Sequence, residues 1–79
     1  MVTAARVDFI LSTLNATEMG TLESVAEKLR QVEEELRALD QPELAARAAE
    51  TIQALRLGDV TEFKRGRAFL QSKIGHLRP

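Results

Sequence analysis

Residues 22–39 read LESVAEKLRQVEEELRAL. Their large apolar members, Leu22, Val25, Leu29, Val32, Leu36 and Leu39, are spaced alternately three and four apart. That spacing puts all six on one stripe of an α-helix and fits no strand, whose side chains alternate with a period of two. Between them stand mostly strong helix formers: Glu, Lys, Arg, Gln and Ala. The stripe is an apolar face that needs cover, and the remaining segments read as helices packed onto it.

Outward from this helix, three places share one local device. Asn15 is followed by Glu18, Asp40 by Glu43, and Asp59 by Glu62. Each pair has a good N-cap residue with Glu at the third helical position, the reciprocal arrangement of a capping box. These caps divide the chain into four helices, over about residues 4–14, 16–39, 41–57 and 60–77. Pro42 falls in the first turn of the third helix, where its missing N–H costs little. Gly58 directly precedes Asp59, so a C-terminal glycine and an N-cap share one very tight corner. Connections this short make successive helices antiparallel neighbours, and the expected fold is an all-α antiparallel bundle, one domain over residues 1–79. The second helix has two candidate starts. Asn15 can cap it, with Leu14 and Met19 as a hydrophobic staple and Gly20 inside the helix; alternatively Gly20 ends a loop and Thr21 is the cap. An interior glycine costs ~1 kcal/mol, about what a good cap returns. Asn15 is the preferred start.

A rotation of 100° per residue assigns the faces. Val7, Ile10, Leu11 and Leu14 line the first helix; Leu44, Ala45, Ala48, Ile52 and Leu55 the third; Phe63, Gly66, Leu70, Ile74 and Leu77 the fourth. The alanines allow helix axes to approach closely. Phe9 lies almost opposite the first stripe, beside Ala5 and Ala16, and Phe69 about a quarter-turn off the fourth, beside His76 and Lys73. The core leaves these two aromatics unused.

Composition narrows the function classes. The chain has no Cys, hence no disulfide framework and no thiolate nucleophile or ligand. A net charge of −1 exerts no global pull toward nucleic acid or membrane. No apolar run approaches the ~20 residues needed to span a bilayer. Arg6 stands alone near the start and Asp8 interrupts the apolar stretch, an arrangement unlike a secretory signal, so a cytoplasmic location is expected. In that setting the Asn15-Ala16-Thr17 sequon is read as chance.

Chemistry finds little foothold. Glu33, Glu34 and Glu35 fan over about 200° of a helix and cannot converge on one metal ion. They suit ion pairs instead, Glu33 with Arg37 and Glu34 with Arg30. His76 is the only histidine and has no second ligand at helical metal-site spacing. Ser12, Ser24 and Ser72 stand within helices without a nucleophile elbow, and the four glycines form no phosphate loop. A bundle this small is also expected to lack a pocket of ~300 Å³ or more. No catalytic residue, cofactor or metal is therefore assigned, and the chain is read as a non-enzyme.

One asymmetry remains. From residue 60 onward Lys64, Arg65, Arg67, Lys73 and Arg78 face Glu62 alone, whereas residues 22–40 carry six acids against Lys28, Arg30 and Arg37. Lys64, Arg67 and Arg78 share a flank with Gln71, a possible phosphate track, but no Tyr or Trp supplies a stacking platform. The simpler reading sets the basic fourth helix against the acidic second, within the bundle or across a dimer. As a parallel coiled-coil seam, residues 22–39 would place Lys28 against Glu33 favourably but Glu35 against Asp40 unfavourably, so the stripe belongs inside its own bundle.

The functional expectation is a protein–protein interaction or oligomerisation module, a homodimer or the partner of another helical protein, with Phe9, Phe69 and His76 at the interface. The alternative is a small nucleic-acid-associated regulator using Lys64, Arg65 and Arg67. Leu29 and Val32 lie midway along the organising stripe. Leu29→Ala is expected to cost about 2–5 kcal/mol in chemical denaturation, the range for a buried leucine; a loss below ~1 kcal/mol would mean the stripe is not core.

Overall fold

The computed structural model describes residues 4–16 and 20–77. Four helices follow in order: α1 (Ala4–Asn15), α2 (Leu22–Ala38), α3 (Pro42–Arg56) and α4 (Val60–Gly75). They form an all-α bundle measuring 35 × 22 × 18 Å. Arg6 near the start of α1 reaches Glu35 near the end of α2. Leu22 and Ala26 of α2 stand level with Arg56 and Ile52 of α3, and Thr51 and Arg47 of α3 lie against Gly66 and Phe69 of α4, so successive helices run antiparallel. Each helix touches its two neighbours in the ring α1–α2–α3–α4, while α2 and α4 sit on a diagonal and do not meet. This corrects the expectation that the basic fourth helix is matched by the acidic second within one bundle: α3 lies between them.

The organising stripe is core as expected. Val25, Leu29, Val32, Leu36 and Leu39 are buried with Val7, Ile10, Leu14, Leu70 and Ile74. Leu22 is the exception, 55% exposed at the first position of α2. The third helix also departs from its assigned face. Its most buried positions are Ala45, Ala48, Thr51 and Ala54, while Leu44, Ile52 and Leu55 are only half-buried. Small side chains face inward there because α3 is squeezed between two neighbours. At the tightest point a Cβ on Gly66 would lie 2.2 Å from Thr51 Oγ1. Thr51 is accommodated by donating its hydroxyl to the Arg47 carbonyl at 2.8 Å, so that hydroxyl is not stranded.

The ends of the helices show which caps form. Asp59 Oδ1 accepts from the Glu62 amide at 3.1 Å, as the capping pattern requires. Gly58 has φ +75°, and the amides of Gly58 and Asp59 donate back to Leu55 and Ala54, closing α3 with a Schellman motif. The reciprocal half of the Asp59 box does not form, because the Asp59 amide donates to Ala54, and the Asp40 and Asn15 boxes fail altogether. Asp40 has φ +58° because it closes α2 in the same way, its amide bonding Arg37 and that of Gln41 bonding Leu36. With Asp40 committed to that turn, Gln41 becomes the N-cap of α3 without a side-chain bond, its φ −118° and ψ 69° lying outside the helical region that a residue before proline avoids. Asn15 ends α1 rather than starting α2. Gly20 has φ +123°, outside any helix, and Thr21 caps α2 by accepting from Ser24 at 3.1 Å. Glu18 and Met19, invoked for the alternative start, lie outside the described residues.

Gly66→Ala should reveal the α3–α4 crossing. In an open helix this change gains up to ~1 kcal/mol; here overpacking against a β-branched, buried threonine should cost about 1–3 kcal/mol instead. The double variant Gly66→Ala/Thr51→Ala should recover most of that loss. A thermal melt in which Gly66→Ala alone is stabilised would refute the close contact.

Candidate functional site

Among the described residues the exposed large apolar side chains are Phe9, Leu22, Leu57, Val60 and Phe69. Phe9 is 51% exposed because Val7, Ile10 and Leu14 occupy the inward side of α1. Exposed Ala5 and Ala16 share its outer face, and its carbonyl accepts from Thr13 Oγ1 at 2.9 Å.

Phe69 is 40% exposed, and two cations bracket its ring. Arg47 Cζ lies 5.5 Å from the centroid and Lys73 Nζ 5.8 Å, both within cation–π range. Arg47 is itself held by Glu50 at 3.1 Å and Glu62 at 3.9 Å. His76 caps the C-terminus of α4 two turns beyond Phe69, on the same flank. That flank faces away from α1. Gln71, about 200° further round the helix than Phe69, donates to Asn15 of α1 at 2.8 Å. The structure thus places Phe69 and His76 on one flank of α4, two turns apart, and leaves Phe9 on the outer face of α1.

The basic residues of α4 do not line up as one open track. Lys64 is exposed, Arg65 pairs with Glu62 at 3.2 Å, and Arg67 is half-buried with its guanidinium 5.9 Å from the Phe63 ring. Gln71 is turned toward α1, and Arg78 lies outside the described residues.

A concave feature appears where none was expected. Between the first half of α2 and the second half of α3 runs an open groove of about 410 Å³, lined by apolar Leu22, Ala26 and Ile52 and by charged Glu23, Glu27, Arg30 and Arg56. The expectation that so small a bundle lacks such a space is corrected. Ala26 stands one turn from both Leu22 and Arg30, and its single methyl leaves the gap between them open. The apolar periodicity hid this, because Ala26 lies beside the main stripe; the small residue between two long ones was the available signal.

Charge on the outer face of α2 is largely paired locally. Arg30 grips Glu27 at 2.7 and 3.2 Å and reaches Glu34 at 3.0 Å; Arg37 holds Glu33 at 2.8 Å. The hydrogen bond from Arg30 holds the Glu27 carboxyl below its ordinary range, and the same bond pushes the Arg30 guanidinium up. Among the described residues no three His, Asp or Glu side chains converge on a cation position, and no helix is long and apolar enough to cross a membrane. No protein-family model, curated protein or solved structure matches this chain.

Because the folded-state value of Glu27 is depressed, its small contribution to stability is present above the unfolded value and lost as pH falls through the folded one. Carboxyl ¹³C titration should show Glu27 protonating at a lower pH than an ordinary glutamate, and Arg30→Gln should move that midpoint upward. An unmoved midpoint would mean the ion pair does not persist in solution.

Proposed function

We propose that this chain is a non-enzymatic helical interaction module that acts by self-association, as a two-fold homodimer, or by holding another helical protein. The observation that carries this reading is Phe9, an aromatic 51% exposed on a helix whose other side already supplies the core. Burying such a ring against a second copy adds apolar area that a 79-residue core without disulfides cannot add internally. A two-fold pair uses the same patch on both subunits. Phe69 and His76 offer a second anchor of different character, an aromatic ringed by cations and suited to a partner with carboxylates near an apolar residue. A cytoplasmic setting belongs to the same reading.

The nucleic-acid alternative is ranked second because Arg65 is already matched by Glu62 and Arg67 packs on Phe63. Sedimentation equilibrium at micromolar concentration tests both. The wild-type chain should exceed its single-chain mass of 8.8 kDa; Phe9→Ser should lower that mass, and short duplex DNA should leave it unchanged. A monomeric wild type defeats self-association and leaves another helical protein as the partner the module would hold. An assembly indifferent to Phe9→Ser removes the α1 face from it, and a salt-sensitive complex with DNA that Lys64→Glu weakens promotes the alternative.

A further inference from the structure

Helix α1 is joined to the bundle differently from the other three. Three residues connect α2 to α3 and three connect α3 to α4, in turns closed by backbone hydrogen bonds. The join between α1 and α2, residues 16–21, is twice as long. Val7, Ile10 and Leu14 carry α1 into the core cluster of Leu29, Leu36, Leu70 and Ile74. Two polar ties hold its flanks, Arg6 to Glu35 at 2.6 Å and Gln71 to Asn15 at 2.8 Å.

The spacing of these residues has a regularity that a hairpin does not require. Val7 and Val25 are 18 residues apart, as are Leu14 and Val32, and 18 residues make five whole turns of an α-helix. Arg6 and Glu35, the two halves of the ion pair, are 29 apart, eight turns to within about 20°. Drawn as one straight helix, α1 and α2 would therefore turn these buried residues to one face and these ion-pairing residues to one flank. A hairpin absorbs any phase between its helices in the turn. A straight helix whose two halves each line a core has no such freedom.

We propose that two copies of the chain exchange α1. Each α1 lies end to end with its own α2 and occupies the α1 seat of the other copy. Because α1 and α2 are antiparallel in the closed chain, the two long helices of the pair run antiparallel, about a two-fold axis normal to their common plane. Arg6 meets the partner's Glu35, and Asn15 meets the partner's Gln71. That axis leaves both cores on the same side of the plane, so the stripes of α1 and α2 must share a face, which the five-turn spacing provides. The seat holds the same segment in both forms and its contacts are re-made, which is why an exchange of this kind is a low-cost route to a dimer. Gly20 is the hinge: its φ of +123° belongs to the closed chain, and the straight helix takes it to a helical value. Phe9 keeps to the outer face of α1 in both forms, so the exchange does not use that ring.

The exchange rests on the self-association proposed above, and its test separates the two. The chain has no Cys, so Arg6→Cys/Glu35→Cys supplies the two thiols that a short bis-maleimide can join. Sedimentation equilibrium of the wild type at micromolar concentration gives the mass, and denaturing electrophoresis of the linked variant shows whether the link lies within or between chains. Exchanged copies should give covalent two-chain species. An associated wild type whose variant links only within chains overturns the exchange while self-association stands, and a monomeric wild type defeats both. Two changes at the hinge then read its conformation and its phase, with circular dichroism to establish folding. Gly20→Ala favours helix at two hinges per pair, by about fivefold each, and should raise the association constant roughly 30-fold. Two alanines inserted immediately before Gly20 turn α1 by about 200° relative to α2 in a straight helix but only lengthen the loop of the closed chain. In that background the link should move from between chains to within them, and a link that stays between chains would overturn the phase-matched helix. Phe9→Ser should leave linking between chains intact; its loss would assign the association to the outer face of α1 and overturn the exchange.

Discussion

Helix α3 can lie between α2 and α4 because its inward face presents little more than methyl groups and one hydroxyl. Ala45, Ala48, Thr51 and Ala54 are its buried positions, and α4 meets them with Gly66, which has no side chain at all. Everything else follows from that closeness. The backbones of α3 and its two neighbours approach more intimately than α1 approaches either of its own, since α1 inserts Val7, Ile10 and Leu14, whose bulk holds helix axes apart. The bundle is thus a tight three-helix sheaf with a fourth helix closing the open side of its core.

Two left-handed residues make that sheaf possible. Asp40 and Gly58 each end one helix and begin the approach to the next, reversing the chain with no spare residues. Their backbone conformation lets the last carbonyls of α2 and α3 find donors within the turn itself. Gly58 takes the conformation at little cost, while Asp40 tolerates it as short polar residues do. After Gly58, Asp59 at once supplies the cap of α4, so one dipeptide both stops and starts a helix. Slack is absent where the alanine face demands accuracy.

The surface is organised by the same geometry. An inner helix with small side chains can bury only part of the larger ones beside them, so Ile52 and Leu55 are half-covered and Leu22, one turn from Ala26, stays exposed. The groove is the consequence of packing α2 and α3 through small residues at one end while their flanks diverge in size. Its walls carry opposite side-chain charges, Glu23 at the start of α2 and Arg56 at the end of α3, each offsetting the dipole of its own helix. Phe9, by contrast, owes its exposure to the thinness of the fold on that side: α1 is outermost and has core on one side only. The surfaces offered to partners therefore have separate physical origins.

The sequence by itself determined the number and kind of elements and the burial of their main stripes. Apolar spacing is a local signal, and Val25, Leu29, Val32 and Leu36 needed no knowledge of their neighbours to be placed inward. The same spacing marked Phe9 and Phe69 as residues the core would leave out, and the Gly58-Asp59 corner was legible because each residue has one strongly preferred role there. Tertiary structure alone decided which capping sequences act as caps. Asp40 and Asn15 carry the right side chains, but one is consumed in closing α2 and the other turns toward Gln71. It also decided that α2 and α4 are diagonal, that Thr51 rather than Ile52 faces inward, and that Ala26 lines a groove. These outcomes depend on the distance and order of helices around the bundle, and no residue pattern within a single helix encodes what stands opposite it.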